Sequence, residues 1–294
     1  MNLVCPRNTQ ETLARDCAAL GVVPGDTVMV HASLRAVGPL LAGPDTLIAA
    51  ILQALGEAGT MMVYLGCPSP YDDIGRGLYP PEDERFIEEH CPPFDPYLTR
   101  ASRDFGVLPE FFRGHPQVRC SANAGMRMGA VGARADFLTR DHGPNYGLGE
   151  GSPLARLCDV GGKVLLVGSD LDQVTLLHYA EAVAPIEGKR LAHVRVPVRR
   201  GGVRVWLERR GVRHDERHQG LARAVLRRDR RGLPRRRAGA QRACRPGDLP
   251  PAAGPGAGRL RGADHDRDRG AARLSARTCP EGHARRDMGF GACP

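Results

Sequence analysis

Apolar positions in the first two thirds of the chain follow two alternating rhythms. In "TQETLARDCAALG", Leu13, Cys17 and Leu20 recur at helical spacing, with Thr9 as N-cap and Gly21 as the stop. "GDTVMVHASL" follows a Pro24-Gly25 turn and reads as a short buried strand over 27–31. A helix is predicted in "GPDTLIAAILQALGEAG", and a second buried strand in "TMMVYLG". Further on come a helix over 106–113, a strand-like "GAVGA", a helix opened by Ser152 and Pro153, and the strand "KVLLVGS", which leads into another helix. "RLAHVRVPVRRGGVRVWLE" alternates like a hairpin turning at Gly201-Gly202. This order predicts an α/β sandwich around a largely parallel or mixed sheet.

Two stretches break the rhythm. Residues 67–96 combine Pro and Gly with seven acids between positions 72 and 89: Asp72, Asp73, Glu82, Asp83, Glu84, Glu88 and Glu89. They are expected to form a long, irregular, negative excursion, and such loops tend to be functional or disordered. Facing a pocket, the excursion would attract a polycation; it also fits a solvated face. Beyond Trp206 the text turns to Arg, Gly, Ala and Pro, which cannot bury enough apolar area to offset the entropy of ordering. The expected organisation is a folded domain over 1–208 and an Arg-rich segment over 209–294, either disordered or translated out of frame from a GC-rich gene.

The formal charge of +9 would point to an anionic partner if it were spread evenly. It is not. Residues 1–206 carry 18 Arg and 2 Lys against 23 acids, whereas 207–294 carry 22 Arg and no Lys against 10. The body is mildly acidic, and the basic segment lacks lysine and interleaved aromatics. RNA binding through that segment is therefore the weakest of the functional readings. Nine cysteines without a C-x-x-C pair suit a reducing cytosol better than a disulfide framework or a zinc site. "MNLVCPRNTQ" does not open a signal peptide, and no apolar run approaches the roughly 20 residues that cross a bilayer. A soluble, cytoplasmic protein is expected, without a membrane partner.

Candidate chemistry gathers in two places. His178 and Glu181 lie three residues apart in a predicted helix, so both side chains share a face and the carboxylate can orient the imidazole. Such an imidazole suits removing a proton from an attacking amine or hydroxyl. The same spacing fits a surface ion pair on an amphipathic helix, and the pair alone leaves both readings open. An H-E-x-x-H metal motif would need a second histidine where Ala182 stands. The second place is "VHASLRAVG", where a strand runs into His31-Ala32-Ser33 at a helix start and Arg35 follows one turn later. Backbone N–H groups, the Ser33 hydroxyl and Arg35 could there meet an anion or an oxyanion; a simple strand-end cap fits equally.

Taken together, His-Ala-Ser-Leu from His31, Pro-Pro-Phe-Asp-Pro from Pro92 and Leu-His-x-Ala-Glu from Leu177 resemble, in order and spacing, the aminoglycoside 3-N-acetyltransferases. The resemblance runs from about residue 10 to 208. It implies a layered α/β/α sandwich and acetyl transfer from acetyl-CoA to the 3-amino group of the deoxystreptamine ring in antibiotics such as gentamicin and tobramycin. His178 matches the general base and Glu181 the carboxylate beside it. His31, Ala32, Ser33, Leu34 and Arg35 match the part that approaches coenzyme A. Asp72, Asp73, Glu88, Glu89 and Asp95 fall in the acidic antibiotic-binding region. No metal is implied, and a homodimer is allowed for. A same-fold transferase with another amine acceptor is the alternative. Two positions depart from the family pattern: Ala124 replaces a proline and Arg127 a serine, as two cancelling frame shifts between 123 and 129 would produce.

Overall fold

The computed structural model describes residues 8–186, 189–212 and 241–244. Its elements are α1 (Gln10–Ala19), β1 (Thr27–Ala32), α2 (Leu34–Val37), α3 (Pro44–Leu55), β2 (Thr60–Tyr64), α4 (Pro70–Asp73), α5 (Pro81–His90), α6 (Leu108–Arg113), β3 (Arg119–Cys120), β4 (Met128–Gly132), α7 (Ala135–Thr139), α8 (Pro153–Asp159), β5 (Lys163–Val167), α9 (Leu176–Val183), β6 (Leu191–Arg200), β7 (Val203–Val212) and β8 (Gln241–Cys244). The expected signals hold at the first helix, where Thr9 accepts from Thr12 N and closes a capping box.

Six strands form one sheet in the order β3-β4-β2-β1-β5-β8. β1 runs parallel to β2 and β5, while β4 is antiparallel to β2. β2 and β5 are buried along their whole length, as suits parallel strands covered on both faces. Alternation divides their side chains. Val28, Val30, Met61, Val63, Leu165 and Val167 face a core with residues of α1, α3 and α6. Met29, Met62, Tyr64, Val164 and Leu166 face a second core with residues of α7, α8 and α9. The result is the expected α/β/α layering.

β6 and β7 form a separate two-stranded ribbon in continuous register from Leu191↔Val212 to Arg200↔Val203. Its turn residues Gly201 (φ 55°) and Gly202 (φ 82°) both take the left-handed conformation that tight hairpins require. Val196 packs with Cys67, Tyr71, Cys91, Phe94 and Ala124 in a third cluster, so the ribbon covers the acidic excursion.

That excursion is not irregular, contrary to expectation. It holds α4 and α5, each with proline in its first turn. Glu82, Asp83 and Glu84 occupy the first turn of α5, where carboxylates face the positive end of the helix dipole. Acids that read as loop composition are thus helix-start residues. The domain boundary expected after Glu208 falls within β7, which continues to Val212. β8 pairs antiparallel with β5. The rest of the Arg-rich segment, and the first seven residues, lie outside the described residues.

Candidate active site

β1 lies between two parallel neighbours, and the chain leaves it for β2 on one side and β5 on the other. Ligand sites in open α/β sheets form beyond the carboxyl ends of the strands at such a reversal. At this edge β1 ends in His31-Ala32 and β2 ends in Tyr64. Alternation turns Tyr64 toward the α7–α9 side, with Met29 and Met62. His31, two residues after Met29, points to that side as well.

After β5 the chain passes Gly168 in a left-handed conformation (φ 66°), where a Cβ would lie 2.8 Å from the Ala36 Cβ. It then makes a 3₁₀ turn, Leu171–Gln173, and enters α9. Just before α9, Thr175 N donates to His31 Nε2 at 3.4 Å. Burial holds the His31 imidazole down at about 4, and the charge of nearby His178 adds to the effect. His31 is therefore neutral, its Nε2 an acceptor and its proton on Nδ1.

His178 Nδ1 lies 3.3 Å from Glu181 Oε2, and the His178 side chain is 34% exposed while that of Glu181 is 14% exposed. An ionised carboxylate can only accept, so Nδ1 carries the donated proton and the lone pair of the neutral ring lies on Nε2. The spacing is long for a strong hydrogen bond, as is common before substrate closes a site.

The other expected residues are placed unevenly. Ser33 N donates to Val167 O at 2.9 Å, so the expected oxyanion donor at Ser33 is engaged in extending the sheet pairing. The Ser33 hydroxyl makes no cap bond, and α2 is a single turn. Ala32 and Leu34 are half-buried beside it, and Arg35 is exposed. Asp72 pairs with Arg209 of β7, and Glu88 with Arg195 of β6. Asp73 pairs with Arg76 at 2.8 Å. Asp95 accepts from Tyr97 N and Leu98 N, each at 2.8 Å, and so closes its own turn. Glu89 is exposed, 3.8 Å from His90 Nε2. Of the five acids, Asp72 alone is tied to the edge that carries His31: its charge, after burial, pushes the Tyr64 hydroxyl upward.

Sequence reasoning missed Tyr64, whose hydroxyl donates to Gly125 O at 3.2 Å, and Arg209, which is 4% exposed at the side chain. Only the strand alternation of β2 hinted at the first, and nothing local marked the second. A depression of about 750 Å³ bordered by Gln53, Glu57, Arg119 and Asp136 opens near Gly59 and Gly132, at the opposite end of β2, and holds no histidine. Among the described residues no group of His, Cys, Asp and Glu is arranged to hold a metal ion, and no helix is long and apolar enough to cross a membrane.

Residues 29–246 match the family described as aminoglycoside 3-N-acetyltransferase. The chain belongs to that family. Aminoglycoside N(3)-acetyltransferase III of Serratia marcescens is 45% identical over 192 residues, covering 65% of this chain and 70% of the relative. Among solved structures, AAC-IIIb in a binary complex with CoASH superimposes with a TM-score of 0.72 at 40% identity, covering 81% of this chain and 91% of its own. AAC-VIa bound to sisomicin gives a TM-score of 0.72 at 35% identity, covering 82% and 93%. The aminoglycoside 3-N-acetyltransferase likeness thus reaches past the 10–208 span that carries the sequence motifs.

Proposed function

We propose that this chain transfers the acetyl group of acetyl-CoA to the 3-amino group of the deoxystreptamine ring of aminoglycoside antibiotics, and so confers resistance. The acceptor ammonium first loses a proton to solvent, and His178 Nε2 takes a second from the neutral amine as nitrogen attacks the thioester carbonyl. The C–N bond forms, the C–S bond breaks, and coenzyme A leaves as the thiol with the proton that His178 received. Glu181 holds the ring and balances the imidazolium. Acetylation removes one positive charge from the drug, and with it a contact to ribosomal RNA. We place the reaction in the cytoplasm, with coenzyme A approaching along residues 31–35.

The observation that carries this reading is the His178–Glu181 pair beside His31 at the carboxyl edge of the sheet. The test is thiol release from acetyl-CoA with sisomicin as acceptor. His178→Ala is expected to lower kcat about 10²–10⁴-fold while coenzyme A binding is retained. Unchanged turnover in that variant removes the assignment. Glu181→Gln is expected to cost less, about tenfold, because the ring loses its orienter and not its lone pair.

One observation favours a second reading, a less cationic amine as acceptor. Asp72, Asp73 and Glu88 are each already paired with an arginine of the chain. Turnover of a simple monoamine exceeding that of sisomicin would decide for it.

A further inference from the structure

We propose that Arg209 is a built-in cation of the acceptor cleft: its guanidinium holds, against Asp72, the position that an ammonium of a polycationic acceptor takes when bound. The inference rests on the acetyl-transfer reading and deepens it, making Arg209 a specificity-determining residue.

The placement follows from chain geometry. Tyr64 and His31 share a sheet edge and a face; His31 accepts from the start of the helix that carries His178, and Tyr64 senses the charge of Asp72. On the other side, β7 is tied to the 145–146 loop, where Arg210 N donates to Asn145 Oδ1 at 2.8 Å and Tyr146 N donates to Arg210 O at 2.7 Å. The same loop runs on to Gly149, where an added Cβ would sit 3.7 Å from the Ala182 Cβ of α9. Arg209 and His178 therefore stand on segments that both pack against the 145–149 loop.

The way Arg209 is held separates it from an architectural arginine. Arg127, fully buried, spends its guanidinium on four carbonyls, those of Gly66, Pro96, Thr99 and Arg100. Arg209 is as deeply enclosed, but one terminal nitrogen reaches Asp72 Oδ1 and its buried Nε donates to nothing among the described residues. The guanidinium lies against the bare backbone of Gly125, where a Cβ would collide with it. Asp72, at 33% side-chain exposure, still faces solvent. A carboxylate open on one side and answered by a poorly satisfied cation on the other suits exchange of that cation for a ligand's ammonium. A polycation must displace Arg209, or bind beside it against repulsion, whereas an amine with fewer charges meets less opposition.

The experiment measures thiol release by the full chain with acetyl-CoA and sisomicin in a double-mutant cycle. Arg209→Gln is expected to lower KM for sisomicin about tenfold, with kcat within about twofold of the native value. Asp72→Asn is expected to raise KM for sisomicin severalfold less in the native chain than in the Arg209→Gln background, where the carboxylate is open to the acceptor. Overturning results are an unchanged KM in Arg209→Gln, or an Asp72→Asn effect of equal size in both backgrounds. Should Arg209→Gln lose its cooperative melt, Arg209→Met fills the same space and reads the same question. Thiol release with a KM indifferent to Arg209 sinks this proposal and spares the acetyl-transfer reading. No thiol release from any variant overturns both.

Discussion

The Nε2–H of His142 donates to the Gly147 carbonyl at 2.7 Å, while Nδ1 accepts from Ser121 Oγ at 2.8 Å. Ser121 Oγ in turn accepts from Met128 N at 2.9 Å, so the neutral ring completes a closed network. Burial holds this imidazole at about 4, and His31 is held there as well. In the unfolded chain both titrate near 6.5. Between about 4 and 6.5 the unfolded state therefore binds more protons, and protonation favours unfolding. Stability is fully present above pH 6.5 and is expected to fall by about 1.4 kcal/mol per pH unit for each ring as pH drops through that window. Urea midpoints at pH 7.5, 6 and 5 measure it; a flat profile would contradict the assignment. At this scale the sequence was legible where partners are local. His178 and Glu181 are three residues apart, so helical geometry alone brought them together. Ser121, His142 and Gly147 meet across 21 and 5 residues in segments without periodicity, and no pattern announced them.

Among the elements, β1, β2, β4 and β5 of the central sheet and the β6–β7 ribbon were readable because burial writes a period of two or an unbroken apolar run; the short strands β3 and β8 carry neither signal and were not expected. The helices α4 and α5 were not, because their acids and prolines look like loop chemistry until the prolines are seen to stand at helix starts. The join between these elements depends on Arg127. Its four carbonyl partners tether the 96–100 segment to the end of β2, and it lies 5.6 Å from the centre of the Phe94 ring. Arg127, one of the two positions that depart from the family pattern, is thus fully partnered where it stands. Replacing it with Leu leaves four carbonyls without a donor in the interior. The expected loss is about 3 kcal/mol or more, read as a lower midpoint in thermal or urea melts. A variant as stable as the native chain would mean that water reaches those carbonyls. The carbonyls lie 27 to 61 residues away, beyond anything a local window detects.

For the molecule as a unit, the acidic body and basic final third behave as separate statements about function. The fold and the proposed site draw on the first 212 residues, apart from β8 at the edge of β5. A chain ending after Pro246 keeps that edge covered and is expected to retain acetyl transfer. One ending after Val212 bares the β5 edge and is expected to melt about 5 °C lower and to self-associate more readily. Equal melting temperatures would show that β8 adds nothing to the sheet.

The ribbon of β6 and β7 shares no strand ladder with the six-stranded sheet, yet it supplies Arg195 and Arg209, which pair with Glu88 and Asp72 of the acidic helices. If acetyl transfer runs as proposed, acceptor preference can drift through substitutions in this strip while the sheet edge that carries His31 and the start of α9 keeps its shape.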